Sequence, residues 1–323
     1  MVASVPIPVF GTLGANRAVA RAEVDLARAR LRSVDGDLTR EVTAAWLALA
    51  RAEARAELSV QAAARQDALL EIALTRFEAG DVPKVDVTTA RANEARARAD
   101  ANADRAAITS ASAQLAALLG WDPIAPLSAS GGIPEPGSVP PLAELRSMRS
   151  SHPDVRVATA ELDVREADVK EERARHRPAL SLDLESMIDD PTLPGNDYRV
   201  GLTLELPFLG KGSAATRSAV ARERTAELAR EAIISSIDAA IVAAYHRYVA
   251  AVERLRVLSD EVLPAQRLAA KLAREAYTEG QSGLVTVIEA ERSLADAEAQ
   301  GIEARTDAAT ARAELVWATG GAW

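Results

Sequence analysis

The chain has 323 residues, with 38 Lys and Arg against 47 Asp and Glu for a net charge of −9, a pI near 5.1, no cysteine, three His and 3% aromatic residues. At 48% hydrophobic with so few aromatics, its apolar content is largely Ala, Leu and Val, which makes a thin, helical core. The acidic balance with scattered Arg argues against a nucleic-acid partner, and the lack of Cys removes disulfides, thiolate zinc sites and cysteine nucleophiles.

The opening Met1-Val-Ala-Ser-Val-Pro-Ile-Pro has neither a basic n-region nor an apolar h-region and is not a secretory signal. No run of 18 apolar residues follows, so no transmembrane helix is expected, although a transmembrane strand leaves a far weaker trace. From about 12 to 76, apolar positions recur every three and four residues, the period of a helix with a narrow, coiled-coil-like seam. At about 1.5 Å per residue such a helix is roughly 100 Å long. It stops at Gly80-Asp81-Val82-Pro83, and a shorter helix returns to Leu119. Trp121 to Pro141, rich in Pro, Gly and Ser, reads as a connector. A helix from about Pro153 to His176 comes next, with Pro153 in its first turn and Asp154 at the positive end of its dipole.

The period then changes to two. Leu180, Leu182 and Leu184 alternate with Ser181, Asp183 and Glu185, and Val200, Leu202, Leu204 and Leu206 alternate with Arg199, Gly201, Thr203 and Glu205. These are two amphipathic strands joined by a polar loop from Asp189 to Asp197. Their aliphatic face suits lipid and their polar face water; a soluble domain in which the ribbon covers a helix is the other arrangement this pattern allows. A second long helix, about 213 to 277, contains Pro264, which should kink it or remove one hydrogen bond. It turns at Gly280-Gln281-Ser282-Gly283 and returns to Thr319.

The chain is therefore two copies of one pattern. Ile7-Pro8-Val9-Phe10-Gly11 is echoed by Leu206-Pro207-Phe208-Leu209-Gly210, and Leu38, Val42, Trp46 and Leu49 by Ile237, Ile241, Tyr245 and Tyr248, at an offset of 199. Phe77, Gly80, Val85, Val87 and Gly120 are echoed by Tyr277, Gly280, Val285, Val287 and Gly320 at an offset of 200, so one residue has been inserted between the two sets.

These residues resemble the TolC-type outer-membrane efflux channel family of Gram-negative bacteria. The resemblance is carried by the duplication, by Arg76-Phe77-x-x-Gly80-x-x-x-x-Val85-Asp86-Val87 and its copy Ala276-Tyr277-x-x-Gly280-x-x-x-x-Val285-Thr286-Val287, and by His152-Pro153-Asp154-Val155-Arg156. Arg177-Pro178-Ala179-Leu180-Ser181-Leu182 and the Leu206-Pro207-Phe208 strand end add to it. It implies a mainly α fold with transmembrane β: long helical hairpins forming a periplasmic α-barrel, and strands of a trimeric outer-membrane β-barrel. It further implies a homotrimer docked on a periplasmic adaptor protein and an inner-membrane pump and set in outer-membrane lipid. Such a duct would carry drugs, metal ions or other solutes through periplasm and outer membrane. On this reading residues 1–120 are the first repeat, 121–140 the connector and 141–323 the second repeat, with a strand pair at 178–208 and a hairpin at 212–320. A helix and a strand that precede the second copy have no counterpart before the first, so three strands stand where the family has four, and the chain is expected to be N-terminally incomplete, its signal peptide upstream. A soluble duplicated coiled-coil scaffold and the outer channel of type I protein secretion are the alternative functions.

The resemblance places Tyr277, Glu289 and Asp86 at the periplasmic tip or gate, where a threefold ring of Glu289 would favour cations; the plainer reading of Glu289 is a solvated helix residue paired with Arg292. Ser282 and Thr286 stand where the family often has a latching Arg and an acid. Gly80, Gly280 and Gly283 are demanded by the turns. If Leu180, Leu182, Leu184, Leu202 and Leu204 face lipid, then Asp183, Glu185 and Glu205 face the lumen. His152, His176 and His246 sit in no metal-ligand pattern, and no Walker loop, nucleophile elbow or HExxH is present, so no catalytic, metal or cofactor role is expected.

Overall fold

The computed structural model describes residues 2–7, 9, 11–187, 197–205 and 212–321. The expected loop from 189 to 196, Pro8, Phe10 and the strand end at 206–210 lie outside them. The elements are β1 (Val2–Ile7), α1 (Thr12–Glu78), α2 (Lys84–Leu118), α3 (Leu142–Ser147), α4 (Pro153–Arg175), β2 (Ala179–Met187), β3 (Asp197–Glu205), α5 (Gly212–Val257), α6 (Leu263–Thr278) and α7 (Leu284–Ala318). A 3₁₀ turn at Met148–Ser151 leads into α4, and a π turn at Leu258–Val262 joins α5 to α6. Among the described residues no helix is long and apolar enough to cross a membrane.

The chain divides into two compact units, Met1–Asp35 with Met148–Ala239 and Gly36–Ser147 with Ala240–Trp323. In the first unit, α4 is tied to the start of α1 by Arg30 to Glu161 at 2.8 Å and Ser33 to Asp154 at 2.7 Å, and to the start of α5 by Arg230 donating to Thr159 at 3.0 Å. Val155, Ala158, Val164, Ala167, Val169 and Ala174 are its buried residues. His152 caps α4: its Nδ1 accepts from the Asp154 N–H at 3.2 Å, which satisfies one of the donors a helix start leaves open.

The same unit holds a sheet of order β1-β2-β3, antiparallel throughout. The register pairs Val5 with Leu182, Ile7 with Leu180, Leu182 with Leu202, Leu180 with Leu204 and Leu184 with Val200, so these aliphatic residues share one face. The other carries Ser4, Pro6, Ser181, Asp183, Glu185, Arg199, Gly201, Thr203 and Glu205.

The second unit is built from the two helical hairpins, α1/α2 and α5–α6/α7, crossed by the connector. The connector is pinned by backbone N–H donation from Ala129 to Glu53 and from Leu127 to Ser112, and by the Tyr248 hydroxyl donating to Gly137 O at 2.6 Å. Leu49, Ala50, Leu115 and Ala129 form one core cluster, and Leu255, Leu258, Ala304 and Ala308 another.

The duplication is visible in the hydrogen bonds. Gly80 N and Asp81 N donate to Phe77 O and Arg76 O; Gly280 N and Gln281 N donate to Tyr277 O and Ala276 O. The returning helices end alike, with Gly120 N and Trp121 N on Ala117 O and Ala116 O, and Gly320 N and Gly321 N on Trp317 O and Val316 O. Gly80 and Gly280 have φ of +83° and +78°, the left-handed geometry that costs a residue with a Cβ. Gly283 corrects the expectation for all three turn glycines: its φ is −84° with ψ 159°, it faces open space, and its counterpart Pro83 has the same backbone (φ −77°, ψ 158°), so the turn does not demand glycine there.

The kink expected at Pro264 takes the form of the π turn, in which Leu263 N donates back to Leu258 O, with Pro264 in the first turn of α6. The turn lies between the part of the second copy that runs at an offset of 199 and the part that runs at 200. A π turn is how a helix takes in one extra residue without losing phase on either side.

Candidate functional site

Two regions of the fold bear chemistry. The first is where the hairpin turns meet. Tyr277, expected at a constriction, is completely buried, packed with Leu69, Ala73, Ala90, Leu284, Val287 and Ile288. Arg76, of the first hairpin, lies over its ring at 4.8 Å and donates from Nη1 to its carbonyl at 2.7 Å, so the ring belongs to the joint between hairpins rather than to a free surface. Among the described residues its hydroxyl has no hydrogen-bond partner, and burial, reinforced by the Asp86 carboxylate and opposed by Arg76, raises its pKa. Asp86 is half-buried in the first turn of α2, where a negative charge suits the helix dipole. Phe77, the copy of Tyr277, is 41% exposed, so the two copies have diverged in which aromatic closes the joint.

Glu289 is exposed on α7. The pair with Arg292 is not formed: Arg292 donates instead to Asn93 Oδ1 at 2.9 Å, across to α2. The buried acid of this region is Glu291, 2% exposed, which lies 3.3 Å from Arg65 Nε and 2.5 Å from Arg274 Nε. Glu298 meets Arg65 at 2.9 Å and Arg267 at 3.7 Å. This alternation of guanidinium and carboxylate joins α1 to α6 and α7, and each buried charge has an opposite neighbour, as burial requires. Sequence reasoning missed it, although a signal was present: Arg267 and Arg274, and Glu291 and Glu298, are each seven apart, two turns on facing helices of one hairpin.

The second region is the sheet. Its aliphatic face is open, with Val5 51%, Leu184 43%, Val200 70%, Leu202 67% and Leu204 51% exposed, while Leu180 and Leu182 are half-buried. The ribbon covering a helix is therefore not the arrangement found. On the polar face the Thr203 hydroxyl donates to Asp183 at 2.5 Å, with Ser4 and Ser181 also hydrogen-bonding that carboxylate; Glu185 is opposite Arg199 and Glu205 opposite Ala179. Among the described residues no three His, Asp or Glu gather as a metal site. His176 ends α4, and His246 stands edge-on to Tyr245 at 5.4 Å.

Comparison with known proteins agrees with these features. The chain is 27% identical over 296 residues to the cobalt-zinc-cadmium resistance protein CzcC of Cupriavidus metallidurans, covering 90% of this chain and 69% of that one. It is 24% identical over 314 residues to the outer membrane efflux protein BepC of Brucella suis biovar 1, covering 94% and 68%. Its fold matches the outer membrane protein VceC of Vibrio cholerae with a TM-score of 0.80 at 19% identity, over 98% of this chain and 78% of that one. It matches the open-state MtrE outer membrane channel of Neisseria gonorrhoeae with 0.80 at 21% identity, over 98% and 74%. The model of the outer membrane efflux protein family matches residues 1–121 and 145–321, and the chain belongs to that family.

Proposed function

We propose that the chain is one subunit of a homotrimeric, passive exit duct in which strands of each copy close a barrel in the outer membrane and the hairpins form a periplasmic tunnel. The family itself is one of efflux proteins of the outer membrane. The observation that carries the duct reading is the two-faced sheet: nine residues or fewer per strand, one face aliphatic from Leu180 to Leu184 and from Val200 to Leu204 and largely exposed, on a chain whose other elements are mostly long hairpins. Among the described residues the sheet's outer edges, β1 and β3, are unpaired; a small sheet with such edges and an open apolar face is poor in water and worse in lipid, and closure with strands of further copies removes both edges. The aliphatic face then meets lipid, and Asp183, Glu185 and Glu205 line a lumen.

At the other functional end, Tyr277, Asp86, Gly80 and Gly280 make the tip, Gly283 with them, and Glu289 supplies one carboxylate per subunit to its aperture. The tip docks on a periplasmic adaptor coupled to an inner-membrane pump. Residues 1–120 and 141–323 are the two repeats of this design, joined by 121–140. The relatives' names point to different cargo, cobalt, zinc and cadmium resistance for one and pyoverdine export for another, so the duct is assigned to small solutes, metal ions or drugs as a class. Nothing in the reading calls for catalysis or a cofactor; direction comes from the partners.

The test is conductance of the purified protein in planar bilayers, alongside its migration as a heat-modifiable trimer. Stable unitary currents from a trimer are expected, with cation preference reduced in Glu185→Gln/Glu205→Gln. A monomeric protein without currents would end the duct reading, and an unchanged ion preference would remove the acidic lumen.

A further inference from the structure

Each hairpin closes along a buried seam, but α6 and α2 also carry a second seam that the chain leaves open. On α6 and its two ends the open positions are Glu261, Ala265, Leu268, Leu272, Glu275 and Glu279, spaced by four and three and all exposed. Leu268 and Leu272, 57% and 54% exposed, lie on the side of the helix away from the buried Ala270 and Tyr277. On α2 the open positions are Thr88, Ala92, Ala95, Ala99, Asn102 and Ala106, with the same spacing and again all exposed. They are distinct from the buried Val87, Ala90, Glu94 and Ala101 of the same helix. A four-three repeat along a helix is the pattern that seats another helix.

The two seams complement each other in size and in charge. The leucines of α6 are large where the alanines of α2 are small, which lets ridges enter grooves. Lys84, Arg91, Arg98 and Arg105, seven apart, edge the α2 seam as one exposed basic row, while α6 brings Glu261, Glu275 and Glu279. Glu261 and Glu275 reach cations of their own hairpin only at 4.0 and 3.9 Å, and among the described residues Arg91 has no carboxylate partner. The duplication says which helices belong together. Inside the chain the hairpins are joined by α1 and α7, with Arg55 on Glu303 and Arg65 on Glu291 and Glu298. The repeat of that joint sets α6 against α2, and since both open seams are exposed, one chain does not make it alone. At the repeat positions of Glu291 and Glu298 stand Arg91 and Arg98, so the charge is inverted. The inversion keeps the joints apart: the α2 row repels the arginines of α1 and attracts the acids of α6.

We propose that the α6 seam of one copy of this chain seats on the α2 seam of the next, with Arg91 and Arg98 selecting that face. The inference rests on the homotrimer reading and assigns the faces that close it. Two different surfaces meet, so the contact is head-to-tail and builds a ring rather than a pair. Inside the chain, residues at similar distances from the two turns face each other: Arg65 is 15 residues before Gly80, and its acids are 11 and 18 residues after Gly280. The same rule sets Leu268 of one copy beside Ala92 of the next, Leu272 beside Thr88 and Glu275 near Lys84.

The chain has no cysteine, so an introduced disulfide reports this contact without background. Oxidation of Leu268→Cys/Ala92→Cys is expected to give covalent trimers on non-reducing gels, whereas either single variant runs as a monomer after denaturation. Arg91→Glu/Arg98→Glu, both at exposed positions, should lower the yield of heat-modifiable trimer about tenfold or more, and adding Glu261→Arg/Glu275→Arg should restore it to within about twofold. A normal trimer with no cross-link, or an Arg91→Glu/Arg98→Glu variant that assembles as well as wild type, would overturn this interface and leave the homotrimer standing. Cross-linking that stops at dimers would overturn the head-to-tail ring, and capture of a different protein in place of a second copy would overturn the choice of occupant. A wild-type protein that is monomeric and never cross-links would defeat the interface and the homotrimer together.

Discussion

Tyr248 and Tyr277 are both buried tyrosines of the second hairpin, but they satisfy burial in opposite ways. Tyr248 donates its hydroxyl to Gly137 O at 2.6 Å; Tyr277 is held by its ring and carbonyl while its hydroxyl is unpartnered among the described residues. Removing a paired buried hydroxyl strands its acceptor, whereas removing an unpaired one relieves a desolvation penalty. Tyr248→Phe is therefore expected to cost about 1 kcal/mol of stability, and Tyr277→Phe to be neutral or slightly stabilising, in thermal unfolding at neutral pH. Burial raises both phenol pKa values. Because the folded state binds these protons more tightly than the unfolded chain, their contribution is complete below the ordinary tyrosine pKa of about 10 and is lost as pH rises through the folded values. A pH series should show unfolding temperature falling above about pH 10, less so in Tyr277→Phe. The position of Tyr277 along its helix was legible from the repeat; its burial was not, since that depends on Leu69, Ala73 and Arg76 of the other hairpin.

The elements were the most legible part. Two hairpins, α4 and both β2 and β3 follow from period and punctuation, because a helix stop needs a left-handed residue and Gly80 and Gly280 provide it at the same step of each copy. The turns also show where punctuation misleads: Gly283 looks like a third turn glycine but has an extended backbone that any residue adopts. Substitution separates the cases. Gly80→Ala and Gly280→Ala should each cost about 1–2 kcal/mol, the penalty of a Cβ in left-handed geometry, while Gly283→Ala should leave stability unchanged or raise it by about 0.5 kcal/mol through a stiffer unfolded chain. Equal losses at all three, measured by unfolding temperature, would show that the turn is held by something other than backbone geometry. The offset change from 199 to 200 announced an insertion, but kinking, looping out and a π turn read alike in a sequence; α3 and the 3₁₀ turn before α4 were also unread, being too short to show a period.

At the scale of the whole molecule, the decisive property is that the chain leaves apolar surface uncovered in two-residue alternation. A helix can hide an apolar stripe against its hairpin partner, as Leu49 and Leu115 do, but the face carrying Val200, Leu202 and Leu204 is left exposed by the described residues. Water would penalise that face, and a bilayer core would not. The two faces of β3 therefore should respond oppositely to charge. In the proposed barrel, Leu202→Arg would place a guanidinium in hydrocarbon at about 2–4 kcal/mol near the bilayer midplane, whereas Thr203→Arg, one residue on and beside Asp183, would place it in the proposed water-filled interior next to a carboxylate. The expected outcome is that Leu202→Arg sharply reduces the protein recovered as trimer from the outer membrane, while Thr203→Arg assembles normally and shifts ion preference towards anions. Equal recovery of the two variants would mean that neither face meets lipid, because in a ribbon solvated on both sides the pleat carries no difference in environment for the charge to report.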